Sequence, residues 1–127
     1  MNLLLDTHTL LWFLDDSPQL SHTGKDLLEA DNTLLLSIAN LWEIAIKVRL
    51  GKLTVAMPLE VLMTQQLTHN DIALLPITVA PLLVVSTLPL HHRDPFDRLL
   101  IAQAMVEQLP IVSADPAFDA YPVQRLW

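Results

Sequence analysis

Thr33-Leu-Leu-Leu-Ser-Ile-Ala-Asn-Leu-Trp-Glu-Ile-Ala-Ile-Lys-Val-Arg-Leu-Gly51 changes its period in the middle. Thr33 to Leu36, with its unbroken leucine run, has the pattern of a short strand buried on both faces. Ser37 is a natural helix N-cap. From Ile38 the residues suit a helix running to Leu50, and Gly51 sits where a C′ glycine belongs. A buried strand passing directly into a capped helix is half of a βαβ unit.

The unit recurs along the chain. Asn2 to Leu5 reads as a buried strand ending at Asp6, and Thr7 to Leu14 as a helix. Ser21 to Ala30 reads as a second helix with Ser21 as its cap. Pro58 opens another in its first turn, running to about Thr68. Ile72 to Leu75 is a third strand, and Thr78 to Leu88 a helix. Asp94-Pro95 is an N-cap followed by an N1 proline, starting a helix that reaches about Gln108. Pro110 to Ser113 is the fourth strand, and Val123 to Leu126 a fifth. Strands alternating with helices imply an α/β fold, a three-layer α/β/α sandwich around a mainly parallel sheet of four or five strands. Ligands bind such sheets at the carboxyl ends of the strands. The length of 127 residues suits one domain, 1–127.

Composition limits the chemistry. Cysteine is absent, which excludes disulfides, thiolate zinc sites and a cysteine nucleophile, and fits a reducing, cytoplasmic setting. Apolar residues make up 52% and charged residues 17%. Mean hydropathy is +0.41, so apolar surface for a partner is expected. No basic region precedes Leu3-Leu-Leu5, and Ile77 to Leu90 is too short to span a bilayer, so no membrane role is expected. The formal net charge is −7, which taken alone argues against nucleic-acid binding. The bases are clustered, however. Lys47, Arg49 and Lys52 follow Glu43, while His91, His92, Arg93 and Arg98 surround Asp94 and Asp97. This gives a local positive lip on an acidic protein, with Lys47 and Arg98 as candidate phosphate contacts.

Four acids draw notice by position: Asp6 ends the first strand, Glu43 lies two turns into an apolar helix, Asp97 sits in a first helical turn, and Asp115 follows the fourth strand. Each has an ordinary structural role available. Asp6 can cap a helix, Glu43 can pair with Lys47 at i+4, Asp97 can complement a helix dipole, and Asp115 can start a turn with Pro116. All four at sheet-end positions make coincidence the poorer explanation. Carboxylates gathered in one place hold hard divalent cations, which support phosphodiester hydrolysis by activating water and neutralising charge. Thr7 and Ser113 are candidates to hydrogen-bond the carboxylates. Asp94 suits capping of the Asp97 helix better than metal contact. His8 suits a packed or solvent role, and Trp12, Trp42 and Trp127 suit the core or an interface.

Leu-Leu-Asp6-Thr-His, Ser-Ile-Ala-Asn-Leu-Trp-Glu43-Ile, His-Arg-Asp-Pro-Phe-Asp97-Arg-Leu-Leu-Ile-Ala-Gln-Ala and Ile-Val-Ser-Ala-Asp115 resemble the successive motifs of PIN-domain ribonucleases, most closely the VapC-type toxins of toxin–antitoxin pairs. The resemblance covers nearly the whole chain. It implies Asp6, Glu43 and Asp97 as core acids with Asp115 as the fourth, Mg²⁺ or Mn²⁺ as cofactor, RNA as substrate, and an antitoxin and a second copy as partners. Rival families fail on checkable residues. A HAD-like phosphatase needs an acid where His8 stands, and a receiver domain needs a late Lys, whereas none follows Lys52. A non-catalytic PIN-like interaction module is the remaining alternative.

Overall fold

The computed structural model describes residues 1–127. Five strands, β1 (Asn2–Leu5), β2 (Thr33–Ser37), β3 (Ile72–Leu75), β4 (Ile111–Val112) and β5 (Arg125–Leu126), form one sheet in the order β3-β2-β1-β4-β5. Every pairing is parallel, with Leu3 beside Leu34 and Leu5 beside Val112. The helices are α1 (Thr7–Leu14), α2 (His22–Glu29), α3 (Ile38–Arg49), α4 (59–69), α5 (Val79–Thr87) and α6 (Pro95–Glu107).

Side chains alternate across a strand, so an all-leucine strand feeds two cores. Leu3 and Leu5 join Leu10, Leu28, Ile44 and Leu67 under α1 to α4. Leu4 joins Leu100, Ile101, Ala104 and Phe118 under α6, with Val84 of α5 at its edge. Helices cover both faces, giving the three-layer sandwich expected.

Local signals hold at most boundaries. The Ser21 and Ser37 side chains accept from the backbone N–H of Gly24 and Ala39. Gly51 has φ +72°, where a Cβ would be strained. The differences are small. Pro58 is the residue before α4 rather than in its first turn. The middle of α4, Leu62–Gln66, widens to a π-turn. β4 and β5 are each two residues shorter than the expected Pro110–Ser113 and Val123–Leu126, and Pro116–Ala120 adds an unforeseen 3₁₀ turn capped by Asp115.

The strand order reverses between β1 and β4, the position where parallel sheets open a crevice. The Asp6 N–H donates to Val112 O at 3.2 Å, and the buried Thr9 hydroxyl donates to the same carbonyl at 2.8 Å. The ends of β1 and β4 are thereby locked together. No helix is long and apolar enough to cross a membrane.

Candidate metal centre

Above the reversal lies a pocket of about 270 Å³ lined by Asp6, Thr7, His8, Trp12, Glu43, Lys47, Asp94, Asp97, Ala114 and Asp115. All four acids singled out by position meet here, carried by β1, α3, α6 and the loop after β4.

Each acid is also tethered. Asp6 caps α1, accepting the His8 N–H at 2.9 Å, and it takes a second hydrogen bond from the Ser113 hydroxyl. Burial raises the Asp6 pKa; the Ser113 and His8 hydrogen bonds oppose the rise and the Glu43 charge adds to it. Ser113 in turn accepts the Asp115 N–H at 3.0 Å, so one hydroxyl ties two of the acids. Glu43 is buried, accepting from the Thr7 hydroxyl at 2.5 Å and from Lys47 Nζ at 2.6 Å. Asn40 Nδ2 donates to Thr7 Oγ1 at 2.8 Å, which orients that hydroxyl. The hydrogen bond to Glu43 is the main reason that the Lys47 pKa is raised, against its partial burial.

Asp94 caps α6, accepting the N–H groups of Phe96 at 2.8 Å and Asp97 at 3.1 Å. Asp97 projects from the first turn, within 2.8 Å of His92 Nε2. Burial, then the charges of Asp94 and Asp6, push its pKa from 3.8 to about 7, against the His92 hydrogen bond; Glu43 adds to the rise. Asp115 accepts the Ala117 N–H at 2.9 Å while still facing the pocket. The ordinary structural roles and the convergence are therefore both present: caps and pairs hold the carboxylates where their charges repel.

One expectation needs correction. Arg98 is not free to contact substrate. It is 8% exposed, and its guanidinium donates to Leu88 O and Pro89 O, each at 2.9 Å, and to His92 O at 3.2 Å. It ties the α5–α6 loop to α6. Of the positive lip, Lys47 alone lines the pocket. Trp12 is half-buried at the pocket wall, packed between His8 and Trp127, and Trp42 is 59% exposed against Phe96. His92 is the residue whose position sequence reasoning missed; it was visible only as part of a basic cluster.

The donor set fits hard divalent cations: four carboxylates line one pocket, and the Asp97 pKa is raised by burial and then by like charges that a cation would relieve. Comparison with known proteins agrees with the architecture. No curated protein matches significantly. The chain is similar in structure to a chain of VapBC2 from Rickettsia felis, solved bound to a DNA fragment from their promoter, with TM-score 0.72, 15% identity and full coverage of both chains. It is also similar to a chain of FitAcB from Neisseria gonorrhoeae, with TM-score 0.63 and 20% identity, covering 97% of this chain and 95% of that one. Residues 3–124 match the family model of the PIN domain, and the chain belongs to that family.

Proposed function

We propose that the protein is a metal-dependent endoribonuclease acting as the toxin of a VapC-type toxin–antitoxin pair, with the pocket as its active site. The convergence of Asp6, Glu43, Asp97 and Asp115 on one pocket carries this reading. Asp6, Asp97 and Asp115 are the carboxylates that would hold Mg²⁺ or Mn²⁺, and Glu43 would orient a water. Bound divalent cations would supply charge neutralisation on the phosphate and a water of lowered pKa. Ser113 and Thr7 hold Asp6 and Glu43 in place through the hydrogen bonds described. Lys47, the cation at the pocket wall, serves as the phosphate contact.

An antitoxin partner is supported by the likeness to chains of VapBC2 and FitAcB. A homodimer is supported by the apolar outer face of α5, where Val79 is 69% and Leu83 66% exposed, continued by Leu90 at 78%. A cytoplasmic location and a single-domain organisation follow from the same reading.

The test is incubation of purified protein with a mixed RNA pool in Mg²⁺, Mn²⁺ or EDTA. Cleavage should require metal and should fall by orders of magnitude in Asp6→Asn and Asp97→Asn proteins that remain folded. Undiminished cleavage by Asp97→Asn would sink the assignment, and metal binding without cleavage of any RNA would favour the interaction module. Sedimentation of the parent and of Leu83→Asp tests the dimer: a monomeric parent removes it.

A further inference from the structure

His92 stands in the loop between α5 and α6, and its main chain is pinned on both sides. Its N–H donates to the Tyr121 hydroxyl at 2.8 Å, and that hydroxyl donates to Pro89 O at 2.7 Å. Its carbonyl accepts from Arg98. The ring is thereby held against the first turn of α6, where Nε2 lies 2.8 Å from Asp97 Oδ2. A carboxylate oxygen of Asp115 completes a trio with His92 and Asp97 whose donor atoms all lie within 4.8 Å of one another. Nitrogen and oxygen ligands bind first-row dications at about 2.0–2.2 Å, so donors around one ion sit up to about 4.4 Å apart. Small side-chain adjustments bring this trio within that limit.

The trio differs in kind from Asp6 and Glu43, which offer oxygen alone. Imidazole favours first-row transition ions, whereas Mg²⁺ prefers oxygen and water. We infer that His92, Asp97 and Asp115 form a nitrogen-containing cation subsite that selects a first-row transition dication over Mg²⁺, with Asp97 shared between it and the all-oxygen acids. The inference rests on the metal-dependent reading of the pocket and refines it by making His92 a ligand. The competing role for His92 is a hydrogen-bond partner that only orients Asp97.

Mn²⁺ is the probe that separates the two, because its electron spin reports directly bound nitrogen. Binding to the intact protein is counted from loss of the free-ion EPR signal, and pulsed EPR reads ¹⁴N modulation. The parent should bind Mn²⁺ with ¹⁴N coupling. His92→Gln should lose the coupling and bind Mn²⁺ more weakly, by more than the roughly ten- to hundredfold that loss of an outer hydrogen-bond partner costs, with Mg²⁺ affinity changed far less. His8→Gln, at the histidine that lines the pocket, should keep the coupling. Bound Mn²⁺ without ¹⁴N coupling, or coupling that survives His92→Gln, overturns this inference alone. No Mn²⁺ uptake by the parent overturns it together with the metal-dependent reading. The contacts pinning His92 are main-chain, so the variant should fold; if it does not, coupling kept in His8→Gln supports the inference and coupling lost there overturns it.

Discussion

Replacing Asp97 with Asn removes one carboxylate from a pocket that four acids share, and the metal-free protein should gain stability from the loss. Asp97 titrates at about 7 instead of 3.8 because of burial and the neighbouring charges of Asp94 and Asp6. At 1.36 kcal/mol per pKa unit, that difference sets a ceiling of roughly 4 kcal/mol on the cost of ionising Asp97 in the folded state. The Asp97 side chain is 21% exposed, so solvent screens part of it. Asn also weakens the hydrogen bond with His92, at about 1 kcal/mol, and loses a first-turn acid, at roughly 0.3–1 kcal/mol. A net gain of about 1–2 kcal/mol remains. The folded pKa is raised, so the contribution of Asp97 to parent stability is fully present below about pH 4 and is lost as pH rises through about 7. The variant should therefore lead above pH 7, and the lead should close and reverse toward pH 4. In a chain of this length each kcal/mol moves Tm by about 4 °C. Thermal melts in EDTA at pH 8 and pH 5 give the answer, repeated with Mn²⁺, where the parent should recover more than the variant. A variant less stable than the parent at pH 8 in EDTA would refute the repulsion argument and leave Asp97 as a dipole-complementing acid.

Other substitutions probe the supports. Thr7→Val strands the Asn40 amide and one Glu43 oxygen in a buried position and should cost about 2–3 kcal/mol in urea unfolding, with Thr7→Ser close to the parent. Arg98→Met leaves the carbonyls of Leu88 and His92 without their side-chain donor, and Pro89 O with the Tyr121 hydroxyl alone; it should cost roughly 3 kcal/mol, while the salt dependence of RNA binding in EDTA stays that of the parent. Lys47→Met removes the cation 2.6 Å from Glu43; divalent-metal affinity measured by calorimetry should rise, while the salt slope of RNA binding should fall by about one. An unchanged slope would make Lys47 a partner of Glu43 only.

The elements were readable because an all-apolar run of four and a capped apolar helix are unlike each other in period, and because Ser21, Ser37, Asp94 and Gly51 mark boundaries by their own chemistry. The pocket followed from one topological rule applied to Asp6, Glu43, Asp97 and Asp115. Arg98 was misread although the sequence held the correction. Successive helical residues point about 100° apart, so Asp97 and Arg98 cannot share a face. His92 was different. It reaches Asp97 because Tyr121 and Arg98 fix a loop, and no spacing encodes that path. The π-turn in α4 was equally hidden, since one extra residue per turn leaves no mark in residue type.

β1 is made first, yet one of its neighbours in the sheet, β4, is made near the end. The hydroxyl that holds Asp6 comes from Ser113, 107 residues later. A nascent chain that has exposed Asp6 and Glu43 still lacks the strand that builds the floor of the pocket, the loop that carries Asp115 and the hydroxyl that fixes Asp6. Order of synthesis thus acts as a safety catch: the pocket assembles only after the long-range β1–β4 pairing closes, the slow kind of step in folding. Truncated translation products ending before Ile111 carry acids but no assembled centre.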